Sequence, residues 1–265
     1  CNIDTIKVAK GTYYPSTALV DACGQKFGLD STVSFAIQDS LVLLGGYPSG
    51  GGLNNLSAID APLRAPDCNK TILSGEIQQD GNLSNNSFHV LTLFAASSAT
   101  IIDGFCITQG NAVYLDVNDF PTFRNVGGGI LISGLDIMAL QNMTPPVPSN
   151  PQILNCVFLN NHALIGGGIA NLGILGTASP YIYNCSFYSD SAILGGGIAN
   201  IGMDGESSPV LLNDKFQGNT ALAAGGILNL AGSTGLFQDP PFAPTRSTFR
   251  GNEQMPFEIK DAFHK

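Results

Sequence analysis

The side chains able to do chemistry are few in this chain, and they do not converge. Three histidines (His89, His162, His264) and four arginines (Arg64, Arg124, Arg246, Arg250) are spread along 265 residues. Glycoside hydrolysis needs paired carboxylates as acid and base or nucleophile. Lysis of an acidic polysaccharide needs Ca²⁺-holding Asp residues beside an Arg or Lys base. Asp103, Asp190 and Asp214 are the acids best placed for either. They fall in turn or repeat columns, which predicts solvated corners and not one acidic cluster. None of the arginines lies in a lyase-like signature, and the histidines read as ordinary surface or strand residues.

Metal chemistry is equally thin. Asp116, Asn118 and Asp119, in VYLDVNDF, form an oxygen-rich stretch that could take Ca²⁺. It lacks the twelve-residue loop and closing Glu of an EF-hand. GGGIANLG has no Asp where Ca²⁺-binding GGxGxD coils carry one. No cofactor is expected. The six cysteines form no CxxC or Cys/His group, so zinc is not indicated. Cys1 and Cys23 bracket the first coil and are the leading disulfide candidates. Cys68 with Cys106 is a second pair, because Cys106 is predicted to point outward and Cys68 precedes a strand of the previous coil. Six N-x-S/T sequons occur, at Asn55, Asn69, Asn82, Asn85, Asn142 and Asn184.

What must position these residues is a repeat. NCVFLNNHALIGGGIANLG (from Asn155), NCSFYSDSAILGGGIANIG (from Asn184) and NDKFQGNTALAAGGILNLA (from Asn213) align without gaps. Phe158, Phe187 and Phe216 fall 29 residues apart, as do Ile169, Ile198 and Ile227, and Asn171, Asn200 and Asn229. Each unit reads as two short strands, NCxF and GGIAN, joined by an Asn turn and a Gly turn. Alternation puts Cys156 and Phe158 on one inward face. In FxxN, the last residue (Asn161, Asp190, Asn219) suits a left-handed turn. Stacking such units puts Phe over Phe, Ile over Ile and Asn over Asn. A buried Phe or Ile stabilises by ~1.5–3 kcal/mol relative to exposure, and one unit cannot bury its apolar side alone. The expected fold is therefore all-β: a right-handed parallel β-helix with coils of about 29 residues. The Asn171 column reads as a ladder of stacked amides. Cys156 and Cys185 are adjacent in one inward column, and either thiols or a disulfide fit a rung spacing of ~4.8 Å; thiols are favoured.

Weaker coils extend the pattern. IIDGFCITQGNA places Phe105 in the Cys156 column and Ile107 in the Phe158 column, and Gly127–Ile130 repeats GGGI. Insertions occupy Val113–Val126 and Leu135–Asn150. IKVAKGTYY, VSFAI, LVLLGGY and TILSGEI supply strands nearer the start. The chain reads as one domain, with irregular coils over 1–100, repeat coils over 101–252 and a tail or cap over 253–265. Because a strand begins almost directly after Cys1, it also reads as an excerpt of a longer protein.

The FxxN and GGGI columns resemble the repeats of chlamydial polymorphic outer-membrane proteins. IKVAKGTYYP, LLGGY, TILSGEI, NSFHVL and DGFCITQGNA, in that order, are similar to secreted or cell-surface β-helix repeat proteins of Bacteroidota. That resemblance implies an extracellular or outer-membrane-associated location, with type IX secretion, and implies no particular chemistry. Composition narrows partners further. A net charge of −9 with 11 Lys plus Arg gives no basic stripe for nucleic acid, and no apolar run is long enough to span a membrane. The expected function is a non-enzymatic structural or adhesive segment contacting cell-surface proteins or glycans, with assembly into a larger surface complex. The rival is a polysaccharide lyase or hydrolase, or a carbohydrate-binding module.

Overall fold

A computed structural model describes residues 4–16, 30–37, 39–48, 71–115, 123–134, 146–230, 236–237, 248–250 and 257–259. Among these the chain winds as a parallel β-helix with four strand faces per coil. The first face stacks Asp4–Ala9, Leu41–Tyr47, Ile101–Asp103, Gln152–Leu154, Tyr181–Tyr183, Val210–Leu212 and Leu236–Phe237. The second stacks Gly11–Tyr13, Thr71–Ser74, Cys106–Thr108, Val157–Leu159, Ser186–Tyr188, Lys215–Gln217 and Thr248–Arg250. The third face is shorter: Asn111–Ala112, His162–Ala163, Ser191–Leu194 and Thr220–Ala223. The fourth runs from Phe35–Ile37 through Leu91–Phe94, Ile130–Ser133, Ile169–Leu172, Ile198–Ile201 and Ile227–Leu230 to Phe257–Ile259. Within the segment expected to be a tail or cap, Phe257–Ile259 pairs in parallel with Ile227–Leu230.

The repeat columns are the register of this stack. Phe158 pairs with Phe187 and Phe187 with Phe216. Ile169 pairs with Ile198 and Ile198 with Ile227. Ile107 and Ile130 sit in the same columns one coil earlier. The three phenylalanine rings stack with centroids 4.5 and 4.6 Å apart and planes within 3° of parallel. They run through one core with Ile102, Phe105, Cys156, Cys185, Ile153, Ile182 and Leu211.

The coils from Ile101 to Leu230 have four strands each and not two. The two strands that sequence reading missed are the third-face HA, SAIL or TALA and the first-face QIL, YIY or VLL. Asn155, Asn184 and Asn213 turn the chain from the first-face strand into the second face, at φ 50°, 54° and 59°. Cys156 therefore lies just before Val157–Leu159 and not within it, although it still points into the core. The FxxN turn is also displaced by one residue. The left-handed positions are Asn160, Ser189 and Gly218. The NSFHVL segment is likewise not a strand until Leu91.

The GGG run has a specific cause. Gly166 and Gly195 take φ +68° and +67°, open to glycine without a Cβ penalty. A Cβ on Gly168 would meet the Gly197 carbonyl oxygen at 2.6 Å and the Phe187 ring at 2.8 Å. The coils approach too closely there for any side chain.

Candidate functional site

The third face borders a groove of about 740 Å³. Its floor comes from the coils: Asn111, His162, Ala163, Ser191, Ala192 and Ile193. Its far side comes from stretches that break the period, Leu83–Phe88 and Val113–Leu115. The third face can line a groove because its strands carry small or polar residues where the other faces carry Phe, Ile and Leu. Val113 and Leu115 on the far side and Ile193 in the floor are 45, 80 and 43% exposed, so the groove offers apolar surface open to solvent. Phe88 meets Tyr114 edge to face at 5.8 Å, and the Arg124 guanidinium lies 3.8 Å from the Tyr114 ring centre. That cation–π contact fixes the aromatic wall.

One polar pair crosses the floor. His162 Nδ1 and Ser191 Oγ are 2.6 Å apart on adjacent rungs. Burial holds the His162 imidazolium below its ordinary pKa, so the ring is neutral at pH 7. A neutral imidazole beside a hydroxyl can exchange a proton or bond a ligand hydroxyl. No carboxylate, lysine or arginine is among the described groove-lining residues, so none of these orients the ring as the Asp of a triad would.

The other residues singled out by sequence reside elsewhere. Asp116, Asn118 and Asp119 fall outside the described residues, as do Cys1, Cys23, Cys68, His264, Arg64 and Arg246. Among the described residues, no three His, Cys, Asp or Glu side chains gather as a metal site would. Cys106 is disulfide-bonded, to a half that lies outside the described residues. It shares the outward column of Val157 and Ser186 yet is covered. Cys156 and Cys185 are free buried thiols. Burial first, and then Cys156, push the Cys185 thiol well above its ordinary value, which keeps it unreactive. His89 is buried, with Nδ1 3.0 Å from the Gly127 carbonyl oxygen, where it braces the glycine turn.

The three acids are not solvated corners. Asp103, Asp190 and Asp214 are all buried. Asp103 accepts from Asn155 Nδ2 at 2.8 Å and ends an outer ladder. In that ladder Asn184 donates to Asn155 (2.7 Å) and Asn213 to Asn184 (2.9 Å). Asp214 accepts from the Cys185 and Leu212 amides at 2.7 and 3.0 Å. Asp190 and Asp214 accept from backbone amides that a coil corner would otherwise bury unpaired. A second ladder runs inside the coil, from Asn171 Nδ2 to Asn200 Oδ1 and from Asn200 Nδ2 to Asn229 Oδ1, 2.7 Å each. Sequence reasoning missed the groove, whose small third-face residues form no apolar alternation. The register of Asn111, His162 and Ser191, all in one column, was the available signal.

Fold and site together define a parallel β-helical repeat protein with a groove on one face whose described lining residues are uncharged. The chain matches no family model, no curated protein and no solved structure. No helix among the described residues is long and apolar enough to cross a membrane.

Proposed function

We propose that this chain is a non-enzymatic segment of an extracellular or cell-surface β-helix, and that the third-face groove holds a neutral glycan. The groove itself carries the reading. Its open apolar surface suits the C–H faces of sugar rings, and Ser84, Asn111, His162 and Ser191 offer uncharged partners to hydroxyls. The polar groups among the described lining residues are hydroxyl, amide and imidazole, which favours a neutral glycan over an acidic one. The surface location is supported by the resemblance of the FxxN and GGGI columns to chlamydial and Bacteroidota surface repeats. A cell-surface protein is the alternative occupant.

A glycan array read with the wild-type chain and with the double variant Leu115→Glu/Ile193→Glu tests this. Both positions are exposed, so the charges reach the groove without disturbing the core. Binding of neutral glycans by the wild type, lost in the variant, is expected. Equal binding by both would remove the groove from the account. The second reading, an enzyme, rests on the His162–Ser191 contact. Turnover of a polysaccharide, abolished by His162→Ala or Ser191→Ala, would replace the binding role with catalysis.

A further inference from the structure

Asn161, Asp190 and Asn219 occupy one fully buried column of successive coils. The two asparagines make the same bonds. Asn161 Oδ1 accepts from the Gly110 amide at 3.1 Å, and Asn219 Oδ1 accepts from the Asp190 amide at 2.9 Å. Asn161 Nδ2 donates to the Ile107 carbonyl, and Asn219 Nδ2 to the Phe187 carbonyl, both at 3.0 Å. Ile107, Phe158 and Phe187 are equivalent in the second-face register. The middle member thus has the Phe158 carbonyl as its counterpart acceptor.

Asp190 fills half of this role as it stands. Its Oδ1 accepts from the Asn161 amide and from Asn161 Nδ2, both at 2.9 Å. Its Oδ2 stands where the asparagines carry an NH₂ group, is buried, and accepts no hydrogen bond. An ionised carboxylate would set Oδ2 against a carbonyl, two acceptors in a dry interior. A protonated one donates from Oδ2 and completes the column.

We infer that Asp190 is a neutral carboxylic acid standing in for asparagine, donating from Oδ2 toward the Phe158 carbonyl, and that it makes coil-to-coil cohesion depend on pH. The groups around it are uncharged: Asn161 from the coil before, Asn219 from the coil after, and Gly168 of the fourth face, where a Cβ would lie 3.2 Å from Oδ2. Ser191, next in the chain, and His162, which follows Asn161, line the groove instead. Burial is the largest influence on the carboxyl and raises it from 3.8 to about 8, against the opposing bonds from Asn161. The folded form then holds a proton that the unfolded chain has released. Stability from this group is complete below about pH 4 and is lost as pH rises toward about 8. Within that window the folding equilibrium falls about tenfold per pH unit.

Two measurements on the full chain test this. A ¹³C NMR titration of the Asp190 carboxyl should give a midpoint near 8; a midpoint in the ordinary carboxylate range overturns the inference. Denaturant unfolding of wild type and Asp190→Asn should give similar stability near pH 4. The wild type should then fall progressively behind up to about pH 8, with a constant gap above. Asparagine already fills this column on both sides, so the variant is compatible with the fold. A wild-type-to-variant difference that does not change with pH also overturns it.

Discussion

Phe158 and Phe187 stack with ring centroids 4.5 Å apart and planes 3° from parallel, and Phe187 repeats the contact with Phe216. The centroid distances are close to the ~4.8 Å spacing of adjacent parallel strands. The strand register therefore dictates the ring stack. Each ring fills the same slot above the last, and the column is continuous through the lumen.

Phe187 is the middle ring and has the most to lose. Phe187→Ala should destabilise the fold by ~3–5 kcal/mol, from lost transfer energy and a cavity between two fixed rungs. Chemical denaturation followed by circular dichroism measures this. A loss below ~1 kcal/mol would mean that the coils collapse onto the gap, contrary to a rigid register.

Asn200 holds both halves of the inner amide ladder, accepting from Asn171 and donating to Asn229. Asn200→Leu leaves the Asn171 NH₂ group buried without its acceptor. A cost of ~1–3 kcal/mol is expected from that orphaned donor. Gain of stability in the same denaturation assay would show that the ladder serves something other than cohesion.

Ala224 occupies the column of Gly166 and Gly195 and takes φ 57°. The left-handed backbone costs a residue with a Cβ about 1–2 kcal/mol. Ala224→Gly should relieve part of this and raise the unfolding midpoint, less the entropy that glycine adds to the unfolded chain. A lowered midpoint would place the Ala224 methyl as a packing element that outweighs the strain.

His162 and Asp190 respond to pH in opposite directions. Burial depresses the folded pKa of His162 below its ordinary 6.5, so the unfolded chain takes up a proton that the folded chain resists. Stability from His162 is therefore present above about pH 6.5 and is lost as pH falls below it. Asparagine is found in the same column one coil earlier, at Asn111. His162→Asn should thus lessen the loss of stability on acidification from pH 7 to 5, read as a thermal midpoint at each pH. An unchanged acid limb would show that the ring is solvated in both states.

The β-helix was legible because its core columns are the same residue types at one spacing. Phe158, Phe187 and Phe216 announce the period, and their pairing in the structure follows it. The first-face strands were hidden because QIL, YIY and VLL are three residues long and share no residue type in their first position. The buried state of Asp190 was hidden for another reason. Asn and Asp both favour turns, so residue type alone placed it at a solvated corner. Only the neighbouring rungs show that it replaces an amide in a dry column. The groove depends on Leu83–Phe88 and Val113–Leu115 meeting the third face, long-range contacts that no local pattern encodes.

The central claim is that the third-face groove is where a neutral glycan sits. Amide hydrogen exchange, with and without a neutral oligosaccharide that binds, tests it most directly. The account predicts added protection at Asn111–Leu115, His162–Leu164 and Ser191–Ile193, the segments that line the groove. Protection confined to other faces of the β-helix, or none at saturating ligand, would contradict it.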